Sequence, residues 1–205
     1  VSRVDPGDKR GERRHDLAAN LDQLCVMVSV DRPRFNPRGV DRLLVLGEFS
    51  GVPPLLILNK TDLCPAEPAV SVLEQLEGYR SIGYAALAVS AREGSGLEEV
   101  RSALAGRLSL LLGPSGVGKS TLLNVLYGLR LRTGEVSRAT AKGVHTTTRI
   151  EWVDLPGGGA VLDSPGIRSI HPAGLTRRNL ASCFPEIRAL PPCQFGDCRH
   201  LGEAG

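Results

Sequence analysis

The sequence predicts an α/β fold in which a mostly parallel sheet is flanked by helices. Three observations lead there. Short apolar segments alternate with amphipathic ones, glycine closes several of the amphipathic ones, and one apolar segment runs through a glycine-bearing turn straight into a helical pattern. At 205 residues with 41% hydrophobic content, the chain can bury one full core and a small appendage. No run of about eighteen apolar residues occurs, and the start VSRVDPGDKRGERR is charged where a secretory signal needs an apolar stretch. A cytoplasmic protein with no membrane partner is expected.

Taken in order, LCVMVSV (24–30) is apolar throughout, as a strand covered on both faces would be. VDRLLVLGEF (40–49) then spaces its apolar residues at helical intervals. LLIL (55–58) is a second strand, AVSVLEQLEGY (69–79) a helix and AALAV (85–89) a third strand. LEEVRSALAG (97–106) is helical, LSLLL (108–112) a strand and KSTLLNVLYG (119–128) a helix. RIEWV (149–153) and GAVLD (159–163) complete six candidate strands. Pro191 and Pro192 mark a boundary, beyond which a cysteine-bearing segment begins.

Two compositional features bear on partners. The five cysteines are an odd number, with three in the last 23 residues, a distribution that argues against disulfides and for testing metal ligation. Net charge is only +3, too small to argue nucleic-acid binding by itself. Lys9, Arg10, Arg13 and Arg14 make one local basic cluster, and Arg130, Arg132, Arg177 and Arg178 add further cations.

The strongest local signal follows LSLLL. Gly113, Pro114, Ser115, Gly116, Val117, Gly118, Lys119 and Ser120 satisfy GxxxxGK[ST] between an apolar strand and an amphipathic helix. In such a loop backbone N–H groups turn toward phosphate oxygens, the lysine reaches the β and γ phosphates, and the Ser120 hydroxyl coordinates Mg²⁺. The loop does not choose between ATP and GTP. That choice falls to Asn59, Lys60 and Asp62, at the C-terminal end of LLIL, where open α/β sheets bind ligands. A carboxylate only accepts hydrogen bonds, so Asp62 can take both donors on the guanine edge, and adenine offers no matching pair. Asn59 is placed to bridge the N7 side of the ring and neighbouring loops, and the Lys60 stem to lie over the base. Ser90, Ala91 and Arg92, at the next strand end, can close over the base oxygen with their backbone.

Downstream, DSPG gives a DxxG pattern: Asp163 is suited to hold Mg²⁺ through water, and the bare backbone of Gly166 can approach the terminal phosphate. AKGVHTTTRI precedes it, and Thr147 is the candidate to complete the Mg²⁺ shell. Ile167 occupies the place where a water-orienting glutamine often follows DxxG, and it has no hydrogen-bonding group. His145 either orients that water as a catalytic residue, beside Lys119, or only anchors its loop. The order is base pocket, base-closing loop, phosphate loop, threonine loop, DxxG. That is the usual GTPase order cut and rejoined, a circular permutation.

With these motifs in this order, the chain resembles the circularly permuted, small-ribosomal-subunit-dependent GTPases of the RsgA or YjeQ family, from AANLDQLCVMVSV (18–30) through GDCRH (196–200). The resemblance implies a permuted P-loop GTPase domain over 18–174, with nucleotide contacts running through Thr121, a linker remnant of an N-terminal OB-fold region over 1–17, and the start of a C-terminal zinc-binding domain over 175–205. Seventeen residues fall short of a five-stranded barrel. Cys193, Cys198 and His200 follow the CxxxxCxH spacing of the family's zinc site, whose fourth ligand would stand one position past the end of the chain. Cys183 could substitute for that ligand but is expected to be buried on a helix, and Cys25 and Cys64 to be small core residues. The implied cofactors are GTP or GDP, Mg²⁺ and Zn²⁺. The implied partners are the small ribosomal subunit and its rRNA, with the protein acting as a monomer in late subunit maturation. Three rivals stay open: a permuted GTPase of large-subunit assembly, a P-loop ATPase or kinase, and a non-hydrolysing RNA-binding module.

Overall fold

The computed structural model describes residues 1–4, 14–64, 72–131, 150–164, 172–191, 193–195 and 198. Its centre is a six-stranded sheet. Strands β3 (Gln23–Ser29), β4 (Pro54–Asn59), β5 (Ala85–Ala88), β6 (Leu108–Leu112) and β8 (Ala160–Asp163) are parallel, and β7 (Glu151–Asp154) runs antiparallel to β8 at one edge. The spatial order is β5-β4-β3-β6-β8-β7. A separate two-stranded antiparallel ribbon pairs β1 (Ser2–Val4) with β2 (Arg14–Asp16).

Side chains that alternate along the strands feed two cores, one on each face. Leu24, Val26, Val28, Leu56 and Leu58 join Val40, Leu43, Leu44 and Leu46 of α1 (Pro37–Ser50) and Leu76 of α2 (Val72–Ser81). Cys25, Met27, Leu55 and Ile57 join Val100 and Leu104 of α3 (Leu97–Leu104) and Leu122, Leu123 and Leu126 of α4 (Lys119–Tyr127). Two helices thus cover each face, and strands β3, β4 and β6 are apolar except at the buried Gln23, Ser29, Asn59 and Ser109. The expected α/β architecture is what the chain forms.

Connectivity sets where a ligand can bind. From β3 the chain steps outward through α1 to β4 and through α2 to β5, while from β6 it steps through α4 to the other side of the sheet. Loops leaving the C-terminal ends of β3 and β6 therefore diverge, and they leave a crevice at the switch point between these neighbouring strands. Near the opposite end, a 3₁₀ turn (Ala181–Cys183) and α5 (Pro185–Arg188) lie against α1, where Arg188 Nη1 is 2.9 Å from a Glu48 carboxylate oxygen. Cys183 is buried there, on the 3₁₀ turn, and Cys25 is fully buried in β3, whereas Cys64 is only half-buried.

Candidate nucleotide-binding site

The phosphate loop leaves β6 and enters α4 where the sequence places it. Its tightness comes from its glycines. A Cβ on Gly113 would stand 2.1 Å from the Met27 carbonyl oxygen on the neighbouring strand, so only glycine lets β6 end against β3. Gly118 has φ 95°, and a Cβ there would stand 2.6 Å from Asn59 Nδ2. The Lys119 side chain curls back over the loop. Its Nζ donates to the Gly113 carbonyl at 2.9 Å and to the Pro114 carbonyl at 3.3 Å. Burial pulls its pKa down, and the nearby Asp163 carboxylate opposes that shift. An ammonium held by neutral carbonyls in a half-dry crevice is poised to exchange them for anionic oxygens. Pro114, Ser115, Gly116 and Thr121 are exposed, and Ser120 is half-buried at the first turn of α4.

Asn59 ties three loops together. It is 2% exposed, its Nδ2 donates to the Val117 carbonyl at 2.8 Å, and its Oδ1 accepts from the Ala91 backbone N–H at 3.2 Å. The expected bridging of loops is what the side chain does. Lys60 adds a second tie: Nζ donates to the Gly116 carbonyl at 2.7 Å and to the Arg32 carbonyl. Burial lowers its pKa, partly offset by Asp31. Asp62 Oδ1 accepts from Ser90 Oγ at 2.7 Å, and Arg92 Nη1 stands 3.8 Å from Asp62 Oδ2. The Ser90 hydroxyl also accepts the Glu93 N–H at 3.1 Å, fixing the turn that carries Ala91 and Arg92. The candidate base-pocket residues and the candidate phosphate loop, about fifty residues apart in the chain, are thus hydrogen-bonded to each other at the C-terminal end of the sheet.

Asp163 closes β8, in register with Leu111 of β6. Its Oδ1 is buried and has no hydrogen-bond partner, and burial raises its pKa while Lys119 opposes. A buried carboxylate oxygen without a donor fits a hard cation that takes oxygen ligands, with the Ser120 hydroxyl as a second candidate ligand. His145, Thr147, Gly166 and His200 lie outside the described residues. Cys193 and Cys198 are both half-buried, and among the described residues no three His, Cys, Asp or Glu side chains gather as a metal site. One contact had no signal in the sequence, the Lys60 ammonium bridging the turn at 31–34 to Gly116. Its acceptors are backbone carbonyls, and every residue type carries one.

The likenesses to known proteins agree with this geometry. A family model described as RsgA GTPase matches residues 5–172. A "Small ribosomal subunit biogenesis GTPase RsgA" of Chlorobaculum parvum is 47% identical over 196 residues, which cover 95% of this chain and 62% of that protein. The protein of the same name from Azotobacter vinelandii is 43% identical over 200 residues, 97% of this chain and 58% of its own length. The solved structure of YjeQ from Thermotoga maritima superposes with a TM-score of 0.72 at 31% identity, covering 90% of this chain and 61% of that one. That of YloQ, described as a circularly permuted GTPase, gives 0.67 at 29%, covering 90% and 58%. The chain therefore spans roughly 60% of the length of the curated relatives it matches. With base-pocket strand ahead of phosphate-loop strand, both at one switch point, and a family match over most of its length, the chain belongs to the RsgA GTPase family.

Proposed function

We propose that this chain binds guanine nucleotide, hydrolyses GTP, and acts in late maturation of the small ribosomal subunit, which stimulates the turnover. The observation that carries the nucleotide reading is Asn59: one buried amide joins the base loop, the phosphate loop and the Ser90–Arg92 turn, so base recognition and phosphate binding are mechanically one site. Asp62 beside it takes the two guanine donors, with Ser90 fixing the carboxylate. Lys119 and the loop N–H groups hold the phosphates. Ser120, Asp163 and Thr147 are the residues that would hold Mg²⁺, which neutralises charge building on the phosphate oxygens. Gly166 approaches the terminal phosphate and His145 orients the attacking water. The half-buried Cys193 and Cys198, with His200, are the residues that would hold Zn²⁺.

Relatives named as small ribosomal subunit biogenesis GTPases support the ribosomal role. In this reading rRNA forms part of the docking surface and the protein works as a cytoplasmic monomer. In this reading 18–174 is the permuted GTPase domain, 1–17 a linker and 175–205 the start of the zinc-binding part. No helix among the described residues is long and apolar enough to cross a membrane.

Two measurements test it. Phosphate release should be specific to GTP over ATP and accelerate only with purified small subunits. Equal turnover of ATP overturns the base-pocket assignment, and indifference to the subunit overturns the ribosomal role. In Asp62→Asn the amide offers a donor where guanine also has one. GDP binding should weaken at least about tenfold while xanthosine diphosphate, with an oxygen at that position, binds more tightly than before.

A further inference from the structure

Among the described residues three non-glycine residues adopt left-handed backbones: Asn20 (φ 56°), Arg32 (φ 53°) and Lys60 (φ 61°). Such conformations persist where surrounding contacts over-determine them, and they gather at ligand sites. Two of the three face each other. The Lys60 ammonium donates to the Arg32 carbonyl and, on its other side, to the Gly116 carbonyl of the phosphate loop. A Cβ built on Gly116 would stand 3.7 Å from Pro33 Cδ and 3.9 Å from the Arg32 oxygen, so the turn at 31–34 lies beside the tip of that loop, about a methyl group away. One cation thereby joins three segments.

What fixes the turn is Ser29. It is the last residue of β3, pairs in register with Asn59 across the sheet and is 1% exposed. Its Oγ donates to the Pro33 carbonyl at 2.7 Å, and the Phe35 N–H closes the turn on the Val30 carbonyl at 3.2 Å. A buried serine at a strand end commonly does no more than close its own turn. Here the carbonyl it holds is one peptide unit from the acceptor of Lys60, so orienting the first orients the second. Without the hydroxyl the Pro33 carbonyl loses a buried donor, the turn relaxes, and Lys60 keeps only Gly116.

We infer that Ser29 is a positioning residue for the guanine-nucleotide site. By holding the Pro33 carbonyl it presents the Arg32 carbonyl to Lys60, and through Lys60 it sets nucleotide affinity. The inference rests on Asn59, Lys60 and Asp62 being the base loop.

The test is a thermodynamic cycle on the full chain, with GDP titrated calorimetrically into wild type, Ser29→Ala, Lys60→Ala and the double variant. Losing one hydrogen bond should weaken GDP binding about three- to tenfold in Ser29→Ala, and less than about twofold when Ser29→Ala is added to Lys60→Ala, where the path is already cut. An equal loss in both backgrounds means Ser29 does not act through Lys60 and overturns the inference, as does no loss in the single variant. If Ser29→Ala is unfolded at the assay temperature, Ser29→Thr and Ser29→Cys decide. The threonine hydroxyl should keep near wild-type binding and the weakly donating thiol should not; equal affinity in the cysteine variant overturns the inference. Wild-type binding of GDP no tighter than of ADP would instead sink the base-loop reading, and the role of Ser29 with it.

Discussion

A single buried amide does most to make this crevice one site. Asn59 spends both ends of its side chain on backbone groups of other loops, so nothing of its own length can replace it without leaving a donor or acceptor unmet. Gly118 depends on the same amide. In Gly118→Ala the new methyl meets Asn59 Nδ2 at a backbone angle that disfavours any side chain. The expected result is a loss of about 1–3 kcal/mol in a urea melt together with more than about tenfold weaker GDP binding. An unshifted melt with unchanged affinity would show that the two loops do not press on each other. The placement of Asn59, Lys60 and Asp62 at and just beyond the end of an apolar strand was legible in the sequence, because LLIL reads as a strand that stops at Asn59. The seats of Lys60 were not, since the Gly116 and Arg32 carbonyls belong to the backbone and carry no residue-type signature.

Strands and helices follow from the same periodicities that predicted them, with informative differences at their ends. Helix α4 runs Lys119–Tyr127 against an expected 119–128, because Gly128 takes the left-handed cap (φ 66°) that stops it. Helix α1 starts at Pro37, three residues before its apolar stripe, since proline is preorganised for the first helical position and needs no N–H there. The ribbon of β1 and β2 left no trace in the sequence, because three-residue strands are too short for an alternation to be read. The apolar runs that did predict strands carry the stability. Leu58 is fully buried in β4 between α1 and α2, and Leu58→Ala should cost about 2–5 kcal/mol in a denaturant melt. Trp152, on edge strand β7, is 58% exposed, and Trp152→Ala should fall within about 0.5 kcal/mol of wild type. Equal costs for the two would contradict the assignment of β4 to the core.

The molecule as a whole should respond to alkali more than its net charge suggests. Burial pushes the Cys25 thiol from 9.0 up to about 12, against a smaller opposing hydrogen bond from Ser109. The folded state therefore favours the neutral thiol. Its contribution to stability is complete below about pH 9 and is lost between about pH 9 and 12, by up to about 1.4 kcal/mol per pH unit. The phenols of Tyr79 and Tyr84, also raised mainly by burial, act in the same direction. Cys25→Ala should be less stable at neutral pH but lose stability less steeply above pH 9, as followed by urea melts at several pH values. Identical slopes in the two proteins would show that the thiol ionises without opening the sheet.

The strand order also fixes a sequence of events during synthesis. Strands β3, β4 and β5 are made first and can pair at once, yet Gln23 of β3 meets its partner Ser109 only after 86 more residues. At bacterial or eukaryotic elongation rates that interval is roughly 4–17 s. For that time the middle strand of the finished sheet is an outer one, with Leu24 through Val28 offering an unpaired apolar border to any passing chain. The rewiring that puts the base pocket first thus trades an ordinary buried seam for a nascent sticky edge, and a host able to shield it would raise the yield of this protein.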